Sequence, residues 1–316
     1  MFPSLRRIPR PEAAAALLSL LVGITLLIIK FIAYFLTGSA AIFSDALESI
    51  VNVLASSVAL YALIVAHSPA DTDHPYGHGK IEFLSAHFEG GMIVLAAIAI
   101  AIKAIDMLLV PPPPIAQLGL GIILIAVAML INGGVGLFLI RTGRRQQSIT
   151  LEADGHHLLS DAITSATALG ALALVKVFHW PLADPIAALF IAAYIGWMGT
   201  SLLRRSSAGL MDRQDADDER LLRQILDSHI GAKGKAPQIC SYHKLRHRHS
   251  GRYHWVDFHI MLPPKLNLEQ GHAIASAIEY EIEQALKEGN ATAHIEPCLE
   301  VPCSLQGGVQ DEVEIT

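Results

Sequence analysis

The chain has 316 residues, 52% of them hydrophobic and only 16% charged, with a mean hydropathy of +0.44. This composition excludes an ordinary soluble globular protein and makes a membrane protein the first expectation. The formal net charge is −6, and no nucleic-acid partner is expected.

Six apolar blocks, approximately 12–36, 40–66, 82–109, 117–140, 153–178 and 183–204, are each long enough to cross a hydrocarbon core of about 30 Å as a helix. The first is read as a retained span. It is too long for a signal peptide, carries Lys30 and lacks a small-residue cleavage site. Arg6, Arg7 and Arg10 precede span one, Lys80 lies between spans two and three, Arg141, Arg144 and Arg145 follow span four, and Arg204 and Arg205 follow span six. The opposite turns, "FLTGSA", "VPPPPIAQ" and "FHWPLADP", hold no Lys or Arg, so both termini are expected in the cytoplasm. Lys30, Lys103 and Lys176 sit where long side chains can snorkel to the interface.

The expected organisation is a cytoplasmic segment 1–11, a six-helix transmembrane domain 12–205, a soluble domain 206–302 and a disordered tail 303–316. In the soluble part "ADDERLLRQILDSHI" predicts an amphipathic helix, and "QICSYHKLRHRH" and "RYHWVDFHIML" predict two strands joined at "SG". "NLEQGHAIASAIEYEIEQALKEG" predicts a second helix from Asn267 to Gly289, and "ATAHIEPCLE" a last strand. Helix, strand, strand, helix, strand makes an α+β sheet with helices on one face, and the alternation puts His259 on the other face. Cys240, Cys298 and Cys303 all fall in this cytoplasmic part, where thiols are expected to stay reduced.

Within span two, "SDALESIVN" carries Asp45, Glu48 and Asn52 on one helical face; span five answers with His157 and Asp161, four apart. Charged groups at mid-bilayer cost about 2.5–3.5 kcal/mol each and call for partners or a water-filled path. Hydrogen bonds between helices are one explanation. A His and three carboxylates on two spans, with no Lys or Arg near to neutralise them, favour a divalent-ion site. The link "PADTDHPYGHGKIE" offers Asp71, His74 and His78 around Gly77 and Gly79; a polar loop can hold histidine without metal, and both readings stand. Histidine is also dense in the tail, at His243, His247, His249, His254, His259, His272 and His294, with Glu296 nearby, which favours metal there too.

Taken together, "TGSAAIFSDALESIVN", "PADTDHPYGHGKIE", "HHLLSD", "LMDRQDADDER" and the run ending "HIEPC" resemble the cation diffusion facilitator family over nearly the whole chain. The resemblance implies a homodimer of six-helix transporters with a ferredoxin-like cytoplasmic domain, exchanging a cytoplasmic divalent metal, usually zinc, for protons. It implies a transport site of Glu48, Asn52, His157 and Asp161, a loop site of Asp71, His74 and His78, and a cytoplasmic site of His243, His259, His272, His294 and Glu296. It also pairs Lys80 with Asp212 where the two parts meet.

Departures from the family pattern leave the metal open. The common zinc pattern has Asp or His at position 48 and Asp at 52, so neutral Asn52 removes one anionic ligand and makes Asp45 a candidate replacement. The loop after span four, "RTGRRQQSIT", has no histidine. Zinc leads, with iron(II), cobalt, nickel and manganese still possible. The roles of His247, His249 and His254 are unassigned. A membrane-anchored metal sensor or scaffold is the competing class, although ligands on two different spans argue against it. An intramembrane metalloenzyme is not expected, because no "HExxH" occurs on any span. The host membrane expected is a bacterial inner membrane.

Overall fold

The computed structural model describes residues 8–37, 40–109, 119–178, 183–286 and 288–298. It divides into two compact units, Met1–Leu210 and Met211–Thr316. The predicted tail 303–316, with Cys303, lies outside the described residues.

The first unit contains α1 (Arg10–Thr37), α2 (Ala40–Ala66), α3 (Ile81–Leu109), α4 (Gly119–Gln146), α5 (Ile149–Phe178) and α6 (Ala183–Leu210). Among the described residues, Arg10–Ile32, Ile81–Asp106 and Ala126–Gln146 are long and apolar enough to cross a membrane by length and composition. Helix α5 carries Glu152, Asp154, His156, His157 and Asp161 in its first half, which lowers its hydropathy. The expected span two coincides with α2, whereas α4 and α5 run past the apolar blocks to take in Arg144, Arg145 and Glu152.

Burial is inverted relative to a soluble bundle. Ala15, Ala55, Ala59, Ala86 and Ala153 are buried, while Leu95, Phe190 and Trp197 are exposed. Small residues inside let helix backbones approach, and large apolar ones outside suit lipid. The closest approach joins α4 and α5: a Cβ on Gly155 would stand 2.8 Å from the Gly136 carbonyl oxygen, and one on Gly136 would stand 2.9 Å from that of Gly155. Only glycine permits this contact, which presses the ligand-bearing half of α5 against α4. Helix α3 packs along α6, and α2 meets α5.

Near the ends of α4, α5 and α6 the arginines that set the expected orientation have a second use. Arg205 grips Glu152 with two bonds, Nη1 to Oε1 at 3.2 Å and Nη2 to Oε2 at 3.1 Å, and Arg144 Nε adds a third at 3.1 Å. One buried carboxylate thus ties three helices together.

The second unit holds α7 (Ala216–Ser228), β1 (Ser241–Ser250), β2 (Tyr253–Leu262), α8 (Leu268–Leu286) and β3 (Gly289–Pro297). The sheet order is β1-β2-β3, with β1 antiparallel and β3 parallel to β2. Asp215 caps α7 by accepting from the amides of Asp217 and Asp218. Asn267 opens α8 in a capping box: its Oδ1 accepts from Gln270 N at 2.8 Å, and Gln270 Oε1 accepts from Asn267 N at 3.1 Å. Leu222, Leu226, Ile278 and Ile282 from the helices close on Val256, Phe258 and Ile260 from β2, forming the core on one sheet face.

Strand β1 contains a bulge. His243 pairs with His259, but Arg246 pairs with Asp257, so β1 has one extra residue, and Lys244 sits there with φ +50°. The extra residue reverses the alternation. His243 is on the open face with His259, while His247 and His249 pair with Val256 and His254 and share the core face.

Cys240 is disulfide-bonded, against the expectation of a reduced thiol, whereas Cys298 keeps its thiol as expected. That expectation rested on compartment alone, which says nothing about the sulfurs that folding brings together.

Candidate metal centres

Between α2 and α5, three of the predicted transport residues meet. Asn52 Nδ2 donates to Asp161 Oδ2 at 2.6 Å, and His157 Nε2 donates to Asn52 Oδ1 at 3.1 Å. Asn52 and His157 are buried. The i, i+4 spacing on α5 aims His157 and Asp161 at one point on α2. With the amide oxygen accepting from His157, the imidazole carries its hydrogen on Nε2. To bind metal through that nitrogen, the ring must shift its hydrogen to Nδ1. Glu48 and Asp45 lie one and two helical turns before Asn52 on α2, and their side chains fall outside the described residues.

A polar ladder continues from this point, and sequence reasoning passed over it. Ser56 on α2 donates to Asp154 Oδ1 on α5 at 3.1 Å, and Ser19 on α1 bonds Ser56 at 2.9 Å. All three are buried, and Asp154 is completely so. Ser56 is four residues after Asn52 and Asp154 three before His157, so the same face rule that selected the ligands could have selected these. Glu89 on α3 is a second fully buried carboxylate, bonded by Ser85 Oγ at 3.5 Å.

In the link before α3, Asp71 Oδ1 lies 3.1 Å from His74 Nδ1, Asp71 Oδ2 lies 3.3 Å from His78 Nε2, and the two rings are 4.5 Å apart. The turn is built by backbone bonds. Asp71 Oδ1 accepts from the amides of His74 (2.6 Å) and Asp73 (3.0 Å), and Gly77, at φ +77°, returns its N–H to His74 O. The His74 amide holds the Asp71 carboxyl below its ordinary range, ready to ligate as an anion.

On the open face of the sheet, Glu296 of the edge strand β3 reaches across β2 to histidines of β2 and β1. Its Oε1 is 2.7 Å from His259 Nδ1 and its Oε2 is 3.2 Å from His243 Nε2. His294 is further out, its Nε2 3.8 Å from Glu296 Oε1 and its ring 4.6 Å from that of His259. The hydrogen bond from His259 holds the Glu296 carboxyl below its usual range. His243, His259 and Glu296 offer donor atoms all within 4.8 Å of one another. His272 is not with them: it is exposed on α8, and α8 covers the opposite sheet face. Asp212, expected to pair with Lys80, lies in the second unit, 3.6 Å from Arg248 Nη1; Lys80 lies in the first.

A third group was not predicted as a site. Asp218 of α7 meets His249 and His254, again with donor atoms within 4.8 Å.

The family model of the cation efflux transmembrane domain matches residues 16–211, and that of the cation efflux protein cytoplasmic domain matches residues 226–298. An uncharacterized transporter of Synechocystis sp. is 37% identical over 300 residues, covering 95% of this chain and 94% of that protein. The cation-efflux pump FieF of Shewanella oneidensis is 31% identical over 88% of this chain and 92% of its own length. FieF of Escherichia fergusonii is 32% identical over 92% of each. A solved structure of the zinc transporter CzrB in its zinc form covers 27% of this chain and 89% of that one at 23% identity, with a TM-score of 0.24, a likeness too slight to carry weight. A helical bundle with polar groups converging between two spans, joined to a small sheet domain, is the architecture of a membrane transporter of metal cations. The chain belongs to the cation diffusion facilitator family of divalent-metal efflux transporters.

Proposed function

We propose that this transporter moves zinc or a related first-row divalent metal out of the cytoplasm in exchange for protons, at a site formed by Glu48, Asn52, His157 and Asp161, with Asp45 in reserve. The observation that carries the reading is the meeting of Asn52, His157 and Asp161 from two membrane helices. Imidazole, amide and carboxylate donors suit a four-coordinate divalent ion, and the oxygen-weighted set leaves iron(II), cobalt, nickel and manganese as competitors of zinc.

The ion comes from the cytoplasm, past the loop site at Asp71, His74 and His78 and along the Asp154, Ser56 and Ser19 ladder. Binding requires the neutral imidazole of His157 with its Nε2 lone pair free, so metal and proton compete for one nitrogen. On the other side of the membrane a proton takes that nitrogen, with a carboxylate sharing the load, and the ion leaves. Rocking of the helices returns the protonated site.

The soluble unit binds metal at His243, His259, His294 and Glu296 and acts in a homodimer. Within one chain His272 is on the wrong sheet face to join this set, so its place there requires a second copy. Cytoplasmic termini in a bacterial inner membrane belong to the same proposal.

Metal uptake into proteoliposomes, run with zinc, iron(II), cobalt, nickel and manganese, tests it. Asn52→Asp should shift preference toward zinc by restoring the anionic ligand. An unchanged preference would remove position 52 from the selectivity argument, and no flux with any metal would favour a sensor.

A further inference from the structure

The bulge in β1 splits the tail histidines into two groups on opposite faces of the sheet. His243 and His259 face away from the helices, whereas His249 and His254, a directly paired couple at the far end of the hairpin, face toward them. His254 and His259 are five residues apart on β2, roughly 17 Å along the strand. An odd separation also puts them on opposite faces. A single ion cannot serve both groups.

The second group has a carboxylate of its own. Asp218, in the first turn of α7, places Oδ2 2.9 Å from His249 Nε2 and 3.1 Å from His254 Nδ1, and the two rings are 4.1 Å apart. A tetrahedral ion held at about 2.0–2.1 Å from each donor sets the donors roughly 3.3 Å apart, so the two carboxylate–imidazole distances need to open by only a few tenths of an ångström, and the three donor atoms already lie within 4.8 Å of one another. His254 is buried, and His249 and Asp218 are half-buried, which leaves one side open for a water ligand. Beside them His247 is 5% exposed, its Nε2 has no hydrogen-bond partner among the described residues, and its ring lies 6.4 Å from that of His249. The site therefore has a further imidazole donor in reserve.

We propose that Asp218, His249 and His254 form a separate binding site for a divalent transition-metal ion, with two imidazole nitrogens, one carboxylate oxygen and a water. The ion fastens the first turn of α7, which starts six residues after α6 ends, to the tip of the β1–β2 hairpin.

The test uses the full chain in detergent, stripped with chelator and loaded with cobalt(II), whose absorption reports coordination. In a His259→Ala/Glu296→Ala background, which removes the open-face group, adding His249→Gln/His254→Gln should abolish one further cobalt equivalent per chain. Asp218→Asn, which keeps the side-chain shape, should weaken that equivalent at least tenfold. In the background chain, metal at ten times its Kd should slow amide exchange in 216–220 and 249–254 about tenfold. Equal cobalt stoichiometry with and without these substitutions, or exchange in these segments indifferent to metal, would overturn the proposal and leave Asp218 and the two histidines as a hydrogen-bonded triad.

Discussion

Two residues show how local backbone and burial set measurable behaviour. Gly77 has φ +77°, and a Cβ there would meet nothing within 4 Å, so Gly77→Ala would strain the backbone alone. The left-handed conformation costs a residue with Cβ about 1–2 kcal/mol, so the turn that gathers Asp71, His74 and His78 should weaken and its metal affinity fall about tenfold, read by zinc titration of the full chain. Tyr242 is buried and its hydroxyl donates to Asp227 Oδ1 at 2.8 Å; burial first, and that bond second, push its phenol up to about 12. An unfolded chain releases this proton near pH 10. Between about pH 10 and 12 the folded state holds a proton that the unfolded state has lost, so stability falls as pH rises through this window. Denaturant titrations of the full chain should show that alkaline loss, and Tyr242→Phe should flatten it.

At the scale of elements, the three-helix tie at Glu152 carries a clear expectation. Glu152→Ala leaves Arg205 without its two-pronged partner and should cost about 2 kcal/mol, seen as a lower melting temperature in detergent. Arg144→Ala should cost less, since the Arg144 side chain is 65% exposed. The sequence marked these arginines as topology signals and left Glu152 unused, because hydropathy reads each span alone while the tie joins three. The spacing of Asn52, His157 and Asp161 was legible because i, i+4 periodicity fixes a helical face before any packing is known. The strands of the soluble unit and the start of α8 at Asn267 were legible for the same reason, since alternation and a helix cap act locally, whereas the Asp215 cap and the β1-β2-β3 order came only with the structure. The grouping of the tail histidines was not legible. One extra residue at Lys244 decides which face each imidazole takes, and an unbroken alternation would have put His243, His247 and His249 together.

The whole molecule combines a transmembrane transport unit with a soluble unit that has, among its described residues, two metal-type clusters on opposite faces of one sheet. Family membership makes it a divalent-metal efflux transporter. Its proposed coupling rests on one nitrogen, His157 Nε2, which now donates to Asn52 and on metal binding must give up its hydrogen. The most direct measurement is metal-driven proton movement in proteoliposomes, with metal uptake recorded in parallel, for the unchanged chain and for His157→Ala. The prediction is coupled metal and proton fluxes in the first and loss of metal-driven proton movement in the second. Undiminished exchange in His157→Ala would contradict the proposed coupling.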